Sequence, residues 1–309
     1  MPSFRSRALL SILGAAAVTV GLGIELSGKS GQFSTALHAA PVLLLLLVVA
    51  LQIVALLARS EAWYVCVCAA GGTVARRLLF RAAGIGYLAS VLNGSVGLAT
   101  RVTCLRRVAP DAVPKVPALL AAEVPIIAVE VALTAVFSFT LVATLGVPWW
   151  VPLIAIAVMT GAAVGLHQVS HRRRLGLWAG LAVMRHGRYR MIVFVLLAVC
   201  AQIARNWLVL NAIGVHVSVF GAIALLIAMF TLGQLPIGPS AGTAAAVLIL
   251  GAHGVAAVAA AGVLLTVTGT VGSLSYASWA IADRAFSGSR KASPDLNVNP
   301  DLNVAPTQA

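Results

Sequence analysis

Gly233–Val247 reads GQLPIGPSAGTAAAV, and its reading decides the fold. Two prolines, three glycines and a serine fall within ten residues, between the apolar runs FGAIALLIAMFTL and AAAVLIL. Proline removes a backbone donor and clashes with the preceding turn, and glycine weakens a helix interior. In hydrocarbon, each carbonyl or amide freed by such a break is costly unless something satisfies it. Irregular backbone at membrane depth therefore persists only where it is buried in protein or lines a wet cavity. As a helix, Ala241–Gly251 would be about 16 Å long, too short to cross about 30 Å of hydrocarbon. The stretch is expected to be the tip of a broken helix.

The rest of the chain supplies the membrane. Its 309 residues are 61% hydrophobic and 9% charged, with mean hydropathy +1.01; a soluble domain carries charge on about a quarter of its residues. An all-α polytopic membrane protein is expected, and the ten-residue alternation of a membrane β-barrel is absent. Six runs are long enough to cross: Ala8–Leu26, Ala36–Leu57, Val116–Leu145, Trp149–His167, Arg190–Ile213 and Val255–Ile281. The first follows Arg5 and Arg7 but is longer than a signal peptide's core, so it reads as an uncleaved span. Two further regions are interrupted, Leu79–Val108 by NGSVG and Val219–Gly251 by PIGPSAG.

Charge asymmetry orients these elements. With a cytoplasmic N-terminus and two interrupted regions that return to their side of entry, nineteen of the 21 Lys and Arg fall inside, Arg59 among them. Lys29 alone lies outside, and Arg205 falls within a span. The net charge of +13 is thus the positive-inside rule plus attraction to anionic inner-leaflet lipid, and nucleic acid is not implied. A bacterial plasma membrane location with both termini cytoplasmic is expected.

The two halves of the chain repeat their spacing. Asn93 lies 85 residues after Ala8, and Pro236 lies 87 residues after Trp149. The first half starts from inside and the second from outside, which is the pattern of an inverted repeat whose broken helices meet at a polar site near the midplane. The expected organisation is one transmembrane domain over 1–285, with halves 8–146 and 149–282. A disordered cytoplasmic tail over 286–309 is rich in Pro, Asn and Asp.

At its two breaks the sequence resembles the transmembrane region of lysylphosphatidylglycerol synthases and their stand-alone flippase-like relatives. In YLASVLNGSVGLATRVTCLRR (Tyr87–Arg107), Asn93, Gly97 and Arg101 match the family's Asn, turn and basic-helix pattern. In LGQLPIGPSAGTAAAVLILGAHGV (Leu232–Val255), Pro236, Gly238, Gly242, Gly254 and Val255 match its Pro-Gly turn and Gly-Val. Ala99–Thr100 and Thr243–Ala244 stand where relatives commonly carry an acidic residue. Without the soluble aminoacyl-transferring domain, the resemblance implies lipid handling or translocation rather than lipid aminoacylation.

Charges inside the spans single out further residues. Glu123 and Glu130 lie seven apart on the third span and share a helix face; Arg205 lies on the fifth. Charges at this depth pair or face a cavity. Similar distances from the inner ends of their spans predict that Glu130 meets Arg205, with Glu123 nearer the cytoplasmic mouth. The expected substrate-binding set is Asn93, Gly97, Arg101, Arg106, Arg107, Glu123, Glu130, Arg205, Pro236, Gly238 and Gly242, with an anionic-headgroup lipid first met by Arg101, Arg106 and Arg107. No nucleophile–base set or phosphate-cradling loop is present, so an enzyme is not expected. The four cysteines and six histidines show no metal-ligand pattern beyond one CxC, and no metal or cofactor is expected. The alternative is a non-transporting accessory that holds a membrane-bound lipid-modifying enzyme or glycosyltransferase through the small-residue face of Ala256–Gly272.

Overall fold

The computed structural model describes residues 40–91, 94–146, 148–154, 156–157, 188–233 and 255–291, with isolated positions at 31, 34–35 and 161. Ala8–Leu26, most of Trp149–His167, the break at 234–254 and the tail beyond 291 lie outside the described residues. The described residues are helical, with no strand among them.

The architecture follows from where these helices stop. Helix α1 (Val42–Ala69) opens after Pro41, which supplies an extended lead-in at a position whose amide needs no helical partner. It does not end at Leu57. It continues through ARSEAWYVCVCA to Ala69, and Gly71, at φ 92°, turns the chain. Arg59 and Glu61 therefore lie within a helix, where the charge pattern had put Arg59 in a cytoplasmic flank. A basic residue closing an apolar run marks the interface only if the helix also ends there, and this one runs a further ten residues.

Helices α2 (Arg76–Ser90) and α3 (Gly94–Val108) form a hairpin whose arms are antiparallel. The crossing is made at two glycines. A Cβ on Gly97 would stand 2.5 Å from the Ser90 Cβ and 2.7 Å from the Gly86 carbonyl oxygen; one on Gly86 would stand 2.7 Å from the Arg101 Cβ. At the base, Thr73 N–H donates to the Ala112 carbonyl at 3.0 Å. The chain thus enters and leaves this hairpin at the same end.

The third expected span is not one continuous helix. It divides into α4 (Val116–Ala121), α5 (Val124–Phe137) and α6 (Phe139–Leu145). Pro125 has no amide to give the Ala121 carbonyl, so the chain steps out of the α-helix at Ala122–Glu123. There Glu123 N–H reaches back only three residues, to Leu120, at 3.2 Å. Helices α7 (Arg188–Ala212), α8 (Val219–Gly233) and α9 (Val255–Lys291) complete the order, and α9 continues beyond the expected end at Ile281. By length and apolarity four stretches can cross a membrane: Val42–Ala69, Val116–Val142, Arg188–Ala212 and Ala256–Arg284.

Helix α1 is antiparallel to α7, because Gln52 meets Gln202 and Arg205 while Glu61 meets Arg190. It runs in the same direction as α9, since Ser60 accepts from the Tyr276 hydroxyl at 3.0 Å and both helices end among the arginines. That end is laced by ion pairs. Arg76 and Arg190 hold the buried Glu61 at 2.7 and 2.5 Å, and Arg77 and Arg81 both grip Asp283.

Two apolar cores are stacked along the bundle. One, near the arginine-rich end, gathers Trp63, Leu79, Leu105, Leu119, Ile126 and Met191. The other, near the far end, gathers Val48, Leu210, Leu225, Val258 and Leu265. Lipid tails are as apolar as these side chains, so close packing rather than water exclusion joins the helices, and small residues favour it. The α9 residues Ala256 and Val258–Ala261 are accordingly buried in the chain's own interior. Between the two cores, helices α1, α7 and α9 each switch to polar residues at the same level.

Candidate functional site

The polar level is built from Gln52 and Arg59 on α1, Gln202 and Arg205 on α7, and Gly269 and Ser273 on α9. Gln52 and Arg59 are seven apart, and Gln202 and Arg205 three apart, so each pair occupies one face of its helix. The hairpin tip and α5 close the level from the other side and enclose a cavity of about 490 Å³. Its lining is mixed: Arg59, Arg101, Glu130, Tyr87 and Gln202 are polar, and Leu133, Phe137, Leu226 and Met229 are apolar.

Of the residues singled out in the sequence, Gly97, Arg101 and Glu130 line this cavity, Glu123 pairs with Arg101, and Arg205 lies at the same level. Arg101 lies one turn beyond Gly97, and the bare backbone of Gly86 admits its side-chain stem. Its guanidinium lies 4.7 Å from the centre of the Trp63 ring and 2.6 Å from a carboxylate oxygen of Glu123. Both side chains of this pair are at most 10% exposed. Glu123 sits at the step between α4 and α5, just before Pro125. Glu130, two turns further on, lines the cavity and pairs with Arg59 at 3.0 Å.

The expected pairing of Glu130 with Arg205 is not made. Glu130 takes the guanidinium that the sequence reading had assigned to the cytoplasm, and Arg205 instead donates to Gln52 Oε1, which also accepts from Gln202 Nε2 at 3.0 Å. Depth along each span was a poor guide because α5 packs against both α7 and α1, and it is Arg59 on α1 that takes the carboxylate. Arg205 borders a second, open recess of about 250 Å³, which shares Gln52, Ser90, Gln202 and Ser273 with the first. Beside it Asn206 is wholly buried, and neither polar atom of its side chain has a hydrogen-bond partner among the described residues.

Arg106 and Arg107 occupy the last turn of α3, at the hairpin base and away from the cavity and the recess, with Arg107 exposed. Asn93, Pro236, Gly238 and Gly242 lie outside the described residues. Sequence reasoning missed Gln52, Arg59, Tyr87 and Gln202. The signal for two of them was present: polar residues seven apart, in a helix otherwise made of Leu, Val and Ala, mark a buried polar stripe.

Chemically, the level is a compartment of mixed polar and apolar lining. Among the described residues it holds three guanidinium groups and two carboxylates. It can receive a molecule with a charged end and a hydrocarbon end. No family model, curated protein or solved structure matches the chain.

Proposed function

We propose that the chain is a flippase-like protein that takes up a membrane lipid by its headgroup and moves it across, or shields it within, the bilayer. The observation that carries this reading is the cavity of about 490 Å³, whose lining combines the ionic Arg59, Arg101 and Glu130 with the apolar Phe137, Leu226 and Met229. A soluble metabolite has no use for the apolar lining, and a purely structural ion-pair network has no use for the space. The resemblance of Tyr87–Arg107 and Leu232–Val255 to the lysylphosphatidylglycerol synthase transmembrane region agrees with it.

In this reading the α2–α3 hairpin is re-entrant, entering and leaving on the cytoplasmic side. The region around Gly233–Val247 is its counterpart in a second, inverted half, and six spans complete the domain. The protein changes a lipid's position and not its bonds, in a bacterial plasma membrane with both termini inside. A lipid with an anionic headgroup is the partner. Arg106 and Arg107 at the hairpin base attract such lipids to the entrance, and Arg101 meets the headgroup within.

The accessory-protein reading has less support. The small-residue face it would offer an enzyme is occupied by this chain's own helices, since Ala256 and Val258–Ala261 are buried.

The test is reconstitution of the full chain into vesicles carrying lipids with a fluorescent headgroup label in both leaflets, followed by a membrane-impermeant quencher. Translocation exposes more than the outer-leaflet half to quenching, and Arg101→Gln slows the excess while leaving insertion intact. Quenching that stops at the outer leaflet for anionic, zwitterionic and polyprenyl lipids alike, with a folded protein, overturns the proposal.

A further inference from the structure

Among the described residues, Arg205 is the unmatched charge of the polar level. Resting on the lipid-handling reading above, we infer that the recess of about 250 Å³ beside it is a binding subsite for an oxyanion with one negative charge, such as a lipid phosphodiester. Arg59 is matched by Glu130 and Arg101 by Glu123, whereas no carboxylate among the described residues lies within ion-pair distance of Arg205. The residue is only 6% exposed. Of its five N–H donors, one is taken by Gln52 Oε1, an oxygen already shared with Gln202, and its Nε has no hydrogen-bond partner among the described residues. A guanidinium removed from water with unspent donors is unfavourable unless an anion completes it. Its planar fork matches two oxygens of a phosphate or carboxylate.

The site beside Arg205 is an open recess. Its α9 wall is bare at Gly269, where an added Cβ would meet only Arg205 Nη1, at 3.4 Å. The hydroxyls of Thr266, Thr270 and Ser273 donate to carbonyls of their own helix, which leaves the guanidinium as the cationic donor of the lining, beside the carboxamides of Gln52 and Gln202. Gln52, Ser90, Gln202 and Ser273 border both the recess and the larger cavity. A phosphodiester on Arg205 therefore directs its glycerol and chains toward the apolar side chains of the larger cavity. Among the described residues, three guanidinium groups against two carboxylates leave one positive charge, which a singly charged headgroup neutralises and a zwitterionic one does not.

Binding of dihexanoyl phosphatidylglycerol and dihexanoyl phosphatidylcholine to the purified full chain in neutral detergent, followed by calorimetry, tests this. The anionic lipid is expected to bind at least about tenfold more tightly. Arg205→Gln abolishes that preference, and Arg205→Lys retains most of it. Gly269→Leu keeps the charge but fills the recess, and also loses the preference; it decides the matter if Arg205→Gln does not fold. Competition by millimolar inorganic phosphate identifies a free oxyanion as an accepted ligand, and its failure to compete identifies the lipid phosphodiester as the source. A wild-type chain without preference, or a preference that survives in the folded variants, overturns the subsite. An Arg205-dependent preference without lipid movement in vesicles retires translocation and leaves the subsite standing.

Discussion

Glu123 and Arg101 meet beside a residue whose amide hydrogen is missing. Pro125 breaks the helix, the carboxylate sits at that break, and it meets a guanidinium that already rests on Trp63. Both members are buried, so removing one leaves the other without a counterion. Glu123→Gln is expected to lower stability by about 3–5 kcal/mol, read as a shift in the unfolding midpoint in detergent. The double variant Glu123→Leu with Arg101→Met is expected to recover most of that loss, and a double variant as unstable as the single one would show that the pair is not coupled. Sequence reading named both residues but did not join them, because their contact lies at a break that a hydropathy pattern passes over. The end of the second span was misread for a related reason: a lone arginine after an apolar run looks like a helix end, whereas α1 continues to Ala69 and Arg59 pairs with Glu130.

At the scale of elements, the α2–α3 hairpin was the most legible part of the fold. The NGSVG interruption announced it, and its Gly97 makes the crossing against Gly86 and Ser90. Gly97→Ala places a methyl against backbone that has nowhere to go, and a cost of about 1–3 kcal/mol is expected. The control is Gly269→Ala, where the nearest atom is a side-chain nitrogen at ordinary contact distance. There the better helix propensity is expected to gain roughly 1 kcal/mol. Thermal unfolding of the two variants in parallel checks both signs. Pro125→Ala is the converse experiment. It restores the amide for the Ala121 carbonyl, straightens α4 into α5, and is expected to weaken the Glu123–Arg101 contact. Double-mutant coupling between those two residues that is the same with and without Pro125→Ala would refute the kink's role. The third span looked continuous in sequence because Pro125 is flanked by residues as apolar as any helix interior, and hydropathy is blind to a missing donor.

For the whole molecule, the decisive feature is a polar level held between two apolar cores, with charge concentrated at one end. Composition alone made the membrane class legible, while the level itself required knowing which faces of α1, α7 and α9 point inward. If the hairpin is re-entrant, cysteines introduced at Ala75 and Asp111 in a background lacking the four native cysteines react with an impermeant thiol reagent from one side only. A cysteine at Pro148 reacts from the other. Labelling of positions 75 and 111 from opposite sides would convert the hairpin into two crossings and reverse the polarity of everything after it. The ion pairs at the base carry a mechanical consequence as well. Helix α2 has fifteen residues, an arm of about 22 Å, and Arg77 and Arg81 pin its root to Asp283. A lever fixed there swings its far end by about 4 Å for a tilt of only about 10°, so a slight rocking at the charged rim would reach Ser90, which borders both recesses, as a shift larger than an atom's radius.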